Sequence, residues 1–202
     1  MTTMSTAPAL ILASTSRYRR QLLERLGIPF RAVAPDCDEE ALKDPGLSPQ
    51  NLAEFLAEAK AASIAQQDPT AVVIGSDQLA AIEINGAWTI LGKPGTSARA
   101  VDQLALLSGR THLLITAMVV ARGAERWRHT DLTRLTMRQL DRATLTRYVD
   151  ADQPLDCAGA YKLECRGVAL FSAIDSADAS AITGLPLLAL TRILAGLGYA
   201  VP

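Results

Sequence analysis

The sequence of 202 residues is poor in the residue types that hold small secreted proteins or structural metal sites together. It contains three cysteines, Cys37, Cys157 and Cys165, and this sparse, odd number is typical of a reducing compartment rather than of a disulfide framework. Its two histidines, His112 and His129, have no cysteine at metal-ligand spacing, which argues against a structural zinc site. We therefore interpret the cysteines as small, buried apolar residues.

Long hydrophobic runs and an excess of charge are also missing. The longest apolar run, at 113–121, is far shorter than the ~20 residues of a membrane-spanning helix, and residues 1–8 lack the basic segment of a secretory signal. The 20 basic and 21 acidic residues give a net charge of −1, which argues against binding to nucleic acid or to an anionic membrane through overall positive charge. The sequence thus predicts a soluble, cytoplasmic protein with neither of these partners.

What is present is the pattern of a globular α/β protein. Hydrophobic residues make up 49% of the chain and charged residues 20%, and the length fits a single domain at 8–202 after a flexible N-terminal extension at 1–7. Strands alternate with helices around a central antiparallel pair, which favours a mixed sheet with flanking helices. Strands are predicted near 8–13, 30–34, 71–74, 111–121, 126–137 and 168–174, a hairpin at 79–90, and helices near 17–26, 49–66, 97–107, 142–149 and 185–194.

One arginine lies where the hydrophobic pattern leads into the protein. In the first predicted helix, Arg19 falls within the same arc as Leu22, Leu23 and Leu26 at about 100° per residue. An inward guanidinium needs an anion. That anion is either a carboxylate of the protein or a ligand phosphate held near the N-terminus of the helix.

Three more charged residues fall at informative places. Lys60 borders the apolar stripe of its helix and is either a solvated edge residue or a ligand for a polyanion. Lys93 precedes Pro94, which holds it on an extended loop. Asp77 follows the apolar strand at 71–74, the usual place for sites in open α/β sheets, and is either a metal ligand or base, or a turn residue.

An acidic loop supplies further oxygen ligands. Asp36, Asp38, Glu39 and Glu40 form either a hard-cation site or a solvated loop. Together, the acids and the three cations point to Mg²⁺ and a polyanionic ligand. The sequence has no Walker A loop, Rossmann glycine fingerprint or G-x-S-x-G elbow, which disfavours P-loop NTPases, dinucleotide oxidoreductases and α/β-hydrolases.

Six short motifs resemble, in family order, those of the Maf family of nucleoside triphosphate pyrophosphatases. They are LILASTSRYRR at 10–20, DE at 38–39, GSDQ at 75–78, GKP at 92–94, CAG at 157–159 and GLPL at 184–187. The resemblance implies a mixed, bent β-sheet with flanking helices and two lobes around a cleft, similar to inosine triphosphate pyrophosphatases. It also implies a divalent cation, Mg²⁺ or Mn²⁺, a nucleotide substrate and a homodimer.

The resemblance assigns roles to residues of this chain by position. It implies phosphate binding by Ser14, Arg19, Lys60 and Lys93, and metal binding by Asp77 and Glu39. Asp77 is also the implied catalytic residue, as orienter or base of the attacking water. The reaction implied is hydrolysis of a nucleoside triphosphate to the monophosphate and pyrophosphate.

Base specificity in the family is implied to depend on three positions, which here are Tyr18, Gln78 and Glu164. These residues are similar to the branch that hydrolyses 7-methyl-GTP, although that branch usually has proline at 17, tryptophan at 18 and glycine at 165. One carboxylate can accept both adjacent donors of guanine, and a cationic methylated base gains a cation–π contact with an aromatic ring. The alternatives are a dTTP/UTP pyrophosphatase of the same family and a non-enzymatic nucleotide-binding regulator of cell division.

Overall fold

The computed structural model describes residues 7–38, 41–42 and 46–201. The strands are β1 (Leu10–Ala13), β2 (Arg31–Val33), β3 (Val72–Ile84), β4 (Ala87–Leu91), β5 (Thr111–Arg122), β6 (Glu125–Met137) and β7 (Phe171–Asp175). The α-helices are α1 (Arg17–Glu24), α2 (Pro49–Ala65), α3 (Ser97–Leu107), α4 (Arg142–Asp152), α5 (Ala179–Ile182) and α6 (Leu187–Gly196). Two short 3-10 helices lie at Ala158–Ala160 and Arg166–Leu170.

The seven strands form one mixed sheet in the order β2-β1-β3-β5-β6-β7, with β4 also paired to β3. Strand β1 pairs in parallel with β2 and with β3. The pairs β3–β4, β3–β5, β5–β6 and β6–β7 are antiparallel. This confirms the predicted mixed α/β sheet with flanking helices.

Strand β3 has two different partners along the same edge. Its first part, 72–75, pairs with β1, and its last part, 80–84, pairs with β4. Among the described residues, no strand pairs with the segment 76–79 on that edge. The segment that contains Asp77 and Gln78 therefore lies in a gap between the end of β1 and the end of β4.

Residues of β3 alternate between two faces of the sheet, which sorts the core into layers. Val73, Leu79 and Ala81 pack against α2 on one face. On the other face, Val72 and Ile74 join a cluster with α1 and α6, whereas Ala80 and Ile82 join a second cluster with α3 and α4. The two clusters form two lobes, and the polar residues Ser76 and Gln78 lie between them on this face.

The predicted end of a strand at Gly75 is wrong. The glycine at the end of an apolar run is a common turn signal, but here β3 continues unbroken from Val72 to Ile84. A Cβ atom at Gly75 would lie 2.4 Å from the carbonyl oxygen of Ala57 and 2.5 Å from the amide nitrogen of Ala61, both in α2. Gly75 is therefore needed so that α2 can approach the sheet closely. Asp77 consequently lies within the strand and not after it.

Four of the helices begin at residues typical of an N-cap. Side-chain oxygens of Ser16, Ser48, Thr96 and Asp141 each accept a hydrogen bond from a backbone N–H in the first turn, at α1, α2, α3 and α4 respectively. The C-terminal part differs from the prediction, because a 3-10 helix precedes β7 and because two helices, α5 and α6, replace one. Within the described part of the chain, no helix has both the length and the apolar character needed to cross a membrane.

Candidate active site

A cavity of about 960 Å³ opens at the gap in the edge of β3. It is lined by eight residues that the sequence predicted to bind substrate or metal: Ser14, Tyr18, Arg19, Lys60, Asp77, Gln78, Lys93 and Glu164. The structure thus brings residues from five separate segments to one place. Glu39, the remaining predicted metal ligand, lies outside the described residues.

The floor of the cavity holds a buried ion pair. The Nζ atom of Lys60 lies 2.6 Å from Oδ1 of Asp77, and the two residues are only 4% and 5% exposed. Lys60 comes from α2, which packs on the same face of β3 to which Asp77 points. The alternative of a lysine on a solvated helix edge is therefore wrong, because the side chain turns inward to the carboxylate of Asp77.

The second oxygen of the Asp77 carboxylate has a different environment. Oδ2 is buried and has no hydrogen-bond partner among the described residues. A buried carboxylate oxygen without a partner is costly and calls for a ligand. Oδ2 is thus the atom of this site that is best suited to receive a cation or a water molecule.

Arg19 projects inward from the first turn of α1, as its position in the helical pattern predicts. Its Nε donates to the carbonyl oxygen of Gly184 at 2.9 Å, and its Nη1 lies 3.5 Å from Oγ of Ser14. The buried hydroxyl of Ser76 also contacts the Gly184 carbonyl, at 3.0 Å. Hydrogen bonds to that carbonyl therefore hold Arg19 beside the end of β1, where a phosphate can reach it.

The remaining predicted cation lies on a more exposed part of the cavity lining. Lys93 is exposed and lines the cavity from the loop that follows β4. Two backbone contacts fix this loop: Gln103 donates to the Gly92 carbonyl at 3.1 Å, and the Gly95 N–H donates to the Leu155 carbonyl at 3.0 Å. The cavity therefore has cations on several sides and a carboxylate on its floor, an arrangement suited to a polyphosphate with a metal ion.

Gln78 is oriented by a fixed set of acceptors. Its Nε2 donates to Oγ1 of Thr116 at 2.9 Å and to the carbonyl oxygens of Ala181 and Ile182 at 3.0 and 3.1 Å. Thr116 donates its own hydroxyl proton to the Ala181 carbonyl, so it can only accept from Gln78. The amide nitrogen is thereby used within the protein, and the amide oxygen Oε1 is the atom left for a ligand.

Two residues at the other end of the cavity are more open. Tyr18 is half-buried, and Glu164 is exposed with no polar partner among the described residues. Burial raises the pKa of Tyr18, and burial raises the pKa of the neighbouring Cys157 thiol to about 12. Both groups therefore stay protonated at neutral pH, so this wall offers an aromatic ring and a carboxylate but no thiolate nucleophile.

The sequence prediction missed Lys162, which also lines the cavity and is 8% exposed. Its Nζ donates to the carbonyl oxygens of Asp152 and Gln153 at the end of α4, at 2.9 and 3.0 Å. Its backbone N–H donates to the hydroxyl of Tyr148, and its carbonyl accepts from the N–H groups of residues 165 and 167. Lys162 thus anchors the loop that carries Glu164. A lysine three residues after the CAG motif at 157–159 was the available signal.

The cysteine interpretation is only partly correct. Cys37 and Cys157 are partly buried, but Cys165 is exposed. It belongs to the turn at 163–165 that precedes a 3-10 helix, where the chain lies on the surface.

The described residues give a divalent cation a limited set of protein ligands. No group of three or more His, Cys, Asp or Glu side chains in the described ranges could hold a metal ion. Oδ2 of Asp77, without a partner in the described part of the chain, nevertheless fits a cation of the Mg²⁺ type, which often takes one or two carboxylates and completes its shell with substrate phosphates and water.

The chain is similar to several known proteins. Residues 9–197 match the family model described as Maf-like protein. The chain is 51% identical to the 7-methyl-GTP pyrophosphatase of Bdellovibrio bacteriovorus over 185 residues, which cover 92% of this chain and 95% of that protein. It is 48% identical to the 7-methyl-GTP pyrophosphatase of Xanthomonas axonopodis pv. citri over 196 residues, 96% of this chain and 100% of that protein.

A solved structure, the dITP/XTP pyrophosphatase of Mycobacterium abscessus, is 13% identical and aligns with a TM-score of 0.46, covering 95% of this chain and 100% of that one. This likeness is too low to bear on the site. The match to the family model, in contrast, includes the motif segments from 10 to 187 that build the cavity. On that basis the chain belongs to the Maf-like protein family.

Proposed function

We propose that this chain hydrolyses 7-methyl-GTP to 7-methyl-GMP and pyrophosphate, with Mg²⁺ or Mn²⁺ as the required cation. The observation that carries the proposal is the buried Oδ2 of Asp77, which has no hydrogen-bond partner among the described residues, in a cavity that Arg19, Lys60 and Lys93 also line. The printed names of relatives that are 51% and 48% identical support the choice of substrate.

The three cations have a role that follows from their charge. A triphosphate carries several negative charges, and a charge-assisted hydrogen bond contributes about 1.5–3 kcal/mol. Arg19, held by the Gly184 carbonyl, and Lys93, on the loop after β4, line the same cavity and would contact the chain of phosphates. As the α–β bond breaks, charge accumulates on the leaving pyrophosphate, and fixed cations stabilise that charge without reorganising.

Asp77 has the central role. Lys60 holds Oδ1, so the carboxylate is fixed in orientation, and Oδ2, which has no partner among the described residues, is the oxygen available to a ligand. Oδ2 can bind the cation or take the proton of the water that attacks the α-phosphorus, and the removal of this atom abolishes either role. Asp77 and Glu39 would hold the divalent cation, which supplies charge neutralisation and polarises phosphate oxygens when it is bound.

Glu164 and Tyr18 account for the choice of base. The Glu164 carboxylate can accept from N1–H and the exocyclic amine of guanine, and it repels the carbonyl edge of a pyrimidine. Gln78 adds an acceptor, because only its Oε1 is left for a ligand. N7-methylation makes the base cationic, which strengthens its stacking on the Tyr18 ring.

Two further properties are part of the same proposal and are supported by the family resemblance: a homodimer and a cytoplasmic location. The sparse cysteines support the second of these, because disulfides are rare in a reducing compartment.

The test is pyrophosphate release from 7-methyl-GTP, GTP, UTP and dTTP, with Mg²⁺ and with a chelator. The proposal predicts release from 7-methyl-GTP in preference to the pyrimidine nucleotides, and only with the cation. In water labelled with ¹⁸O, the label should enter the monophosphate, because attack is at the α-phosphorus. A preference for UTP or dTTP would refute the assigned base, and tight binding without any pyrophosphate would support a non-enzymatic regulator.

A further inference from the structure

Arg17 covers one face of the Tyr18 ring. Its guanidinium carbon lies 4.7 Å from the ring centroid, and Nη2 donates to the hydroxyl of Tyr18 at 2.7 Å. The same nitrogen lies 3.9 Å from Oδ2 of Asp156. Arg17 is the first residue of α1, and its side chain is 65% exposed at the rim of the cavity. A cation therefore already lies against the aromatic ring that we propose as the stacking surface for the base.

Other charged residues lie near the Tyr18 ring, so the position of Arg17 on this ring bears on which base can bind there. Two carboxylates, Asp156 and Glu164, and two cations, Arg17 and Lys162, line this end of the cavity. The Lys162 ammonium donates to two backbone carbonyls and lies only 3.8 Å from Asp156, so its charge is already well compensated. Arg17 is much more exposed than Lys162, so solvent screens its ion pair with Asp156 and its positive charge is the less compensated of the two.

A neutral base and a cationic base meet Arg17 differently. The planar guanidinium can stack on a neutral purine and thus add to the binding surface. A cationic, N7-methylated purine is repelled by the same group and must displace it before it can contact the face of Tyr18 that Arg17 covers. Arg17 therefore discriminates between bases by their charge as well as by their shape.

We propose that Arg17 is a specificity-determining residue that lowers the preference of this enzyme for an N7-methylated base over the unmethylated one. The inference rests on the proposed function, because it places the base at Tyr18. It assigns to the guanidinium a discrimination between two substrates that differ by one methyl group and one positive charge.

The test is a charge-specific pair of variants. Arg17→Gln removes the charge but keeps a side-chain donor near Tyr18 and Asp156, whereas Arg17→Lys keeps the charge and loses the planar fork. The ratio of kcat/KM for 7-methyl-GTP to kcat/KM for GTP should rise about three- to ten-fold in Arg17→Gln, as expected for one partly screened charge. In Arg17→Lys the ratio should stay within about two-fold of the wild type.

Arg20→Gln is the matched control, since Arg20 is exposed on α1 and lines a different surface depression. Arg20→Gln should leave kcat/KM unchanged for both 7-methyl-GTP and GTP. Equal changes in kcat/KM for 7-methyl-GTP and GTP in Arg17→Gln would show that Arg17 acts by shape alone and would overturn the inference. Calorimetric binding of 7-methyl-GMP and GMP gives the same comparison even if neither triphosphate is hydrolysed, and failure of both to bind would also overturn it. Absence of pyrophosphate from every triphosphate in the wild type would instead refute the proposed function.

Discussion

Replacement of Lys60 by methionine tests the buried ion pair that fixes Asp77. The two side chains are 6% and 8% exposed and their charged atoms lie 2.6 Å apart, so the variant leaves a buried carboxylate without its cation. Loss of one partner of such a pair costs about 3–5 kcal/mol, which is a large part of the stability of a typical domain. We therefore expect the free energy of unfolding of Lys60→Met, measured by urea titration at neutral pH, to fall by this amount.

A second variant separates the lost charge partner from lost packing. Lys60→Met/Asp77→Asn removes the buried charge as well, so it should be more stable than Lys60→Met by at least about 1 kcal/mol. Lys93→Met makes the same substitution at an exposed lysine and should stay within about 0.5 kcal/mol of the wild type. A loss of less than about 1 kcal/mol in Lys60→Met would refute the reasoning, because it would mean that the pair is not desolvated in solution.

Two further predictions concern pH and base choice. Burial lowers the pKa of His112 from 6.5 to about 4, so the unfolded chain binds a proton in this interval that the folded protein excludes. Stability should therefore fall as the pH drops from 6.5 to 4, by about 3 kcal/mol from this group, and urea titrations of His112→Gln should lack that component; an unchanged pH profile in the variant would contradict it. Glu164→Gln should lower kcat/KM for 7-methyl-GTP about ten-fold or more, whereas kcat/KM for UTP should change little. Equal losses of kcat/KM for the two nucleotides would exclude Glu164 from base recognition.

Features set by neighbours in sequence were predictable from the sequence. The inward direction of Arg19 follows from the periodicity of α1 alone, and each of the four capping residues accepts from an N–H group only three positions away. Strand β1 was equally clear, because a short apolar run between polar residues is typical of a buried strand. In each case the information lies within one element.

Features that depend on contacts between elements were missed. Gly75 looks like a strand end, and only the close approach of α2 explains why a strand passes through it. Lys60 looks like a surface lysine until α2 is placed over Asp77, and Lys162 is tolerated inside the protein because the end of α4 presents two carbonyls to it. The site itself could be assembled in advance only through the family resemblance, since its residues come from five segments.

The proposed hydrolysis depends most directly on Asp77. The decisive measurement is pyrophosphate release from 7-methyl-GTP by Asp77→Asn, at saturating Mg²⁺, with circular dichroism as the check that the variant is folded. Because Oδ2 has no hydrogen-bond partner among the described residues and we propose that it binds the cation or the attacking water, we predict that turnover falls about 10²-fold or more in a folded protein. Turnover close to the wild-type value in a folded Asp77→Asn protein would contradict the central claim.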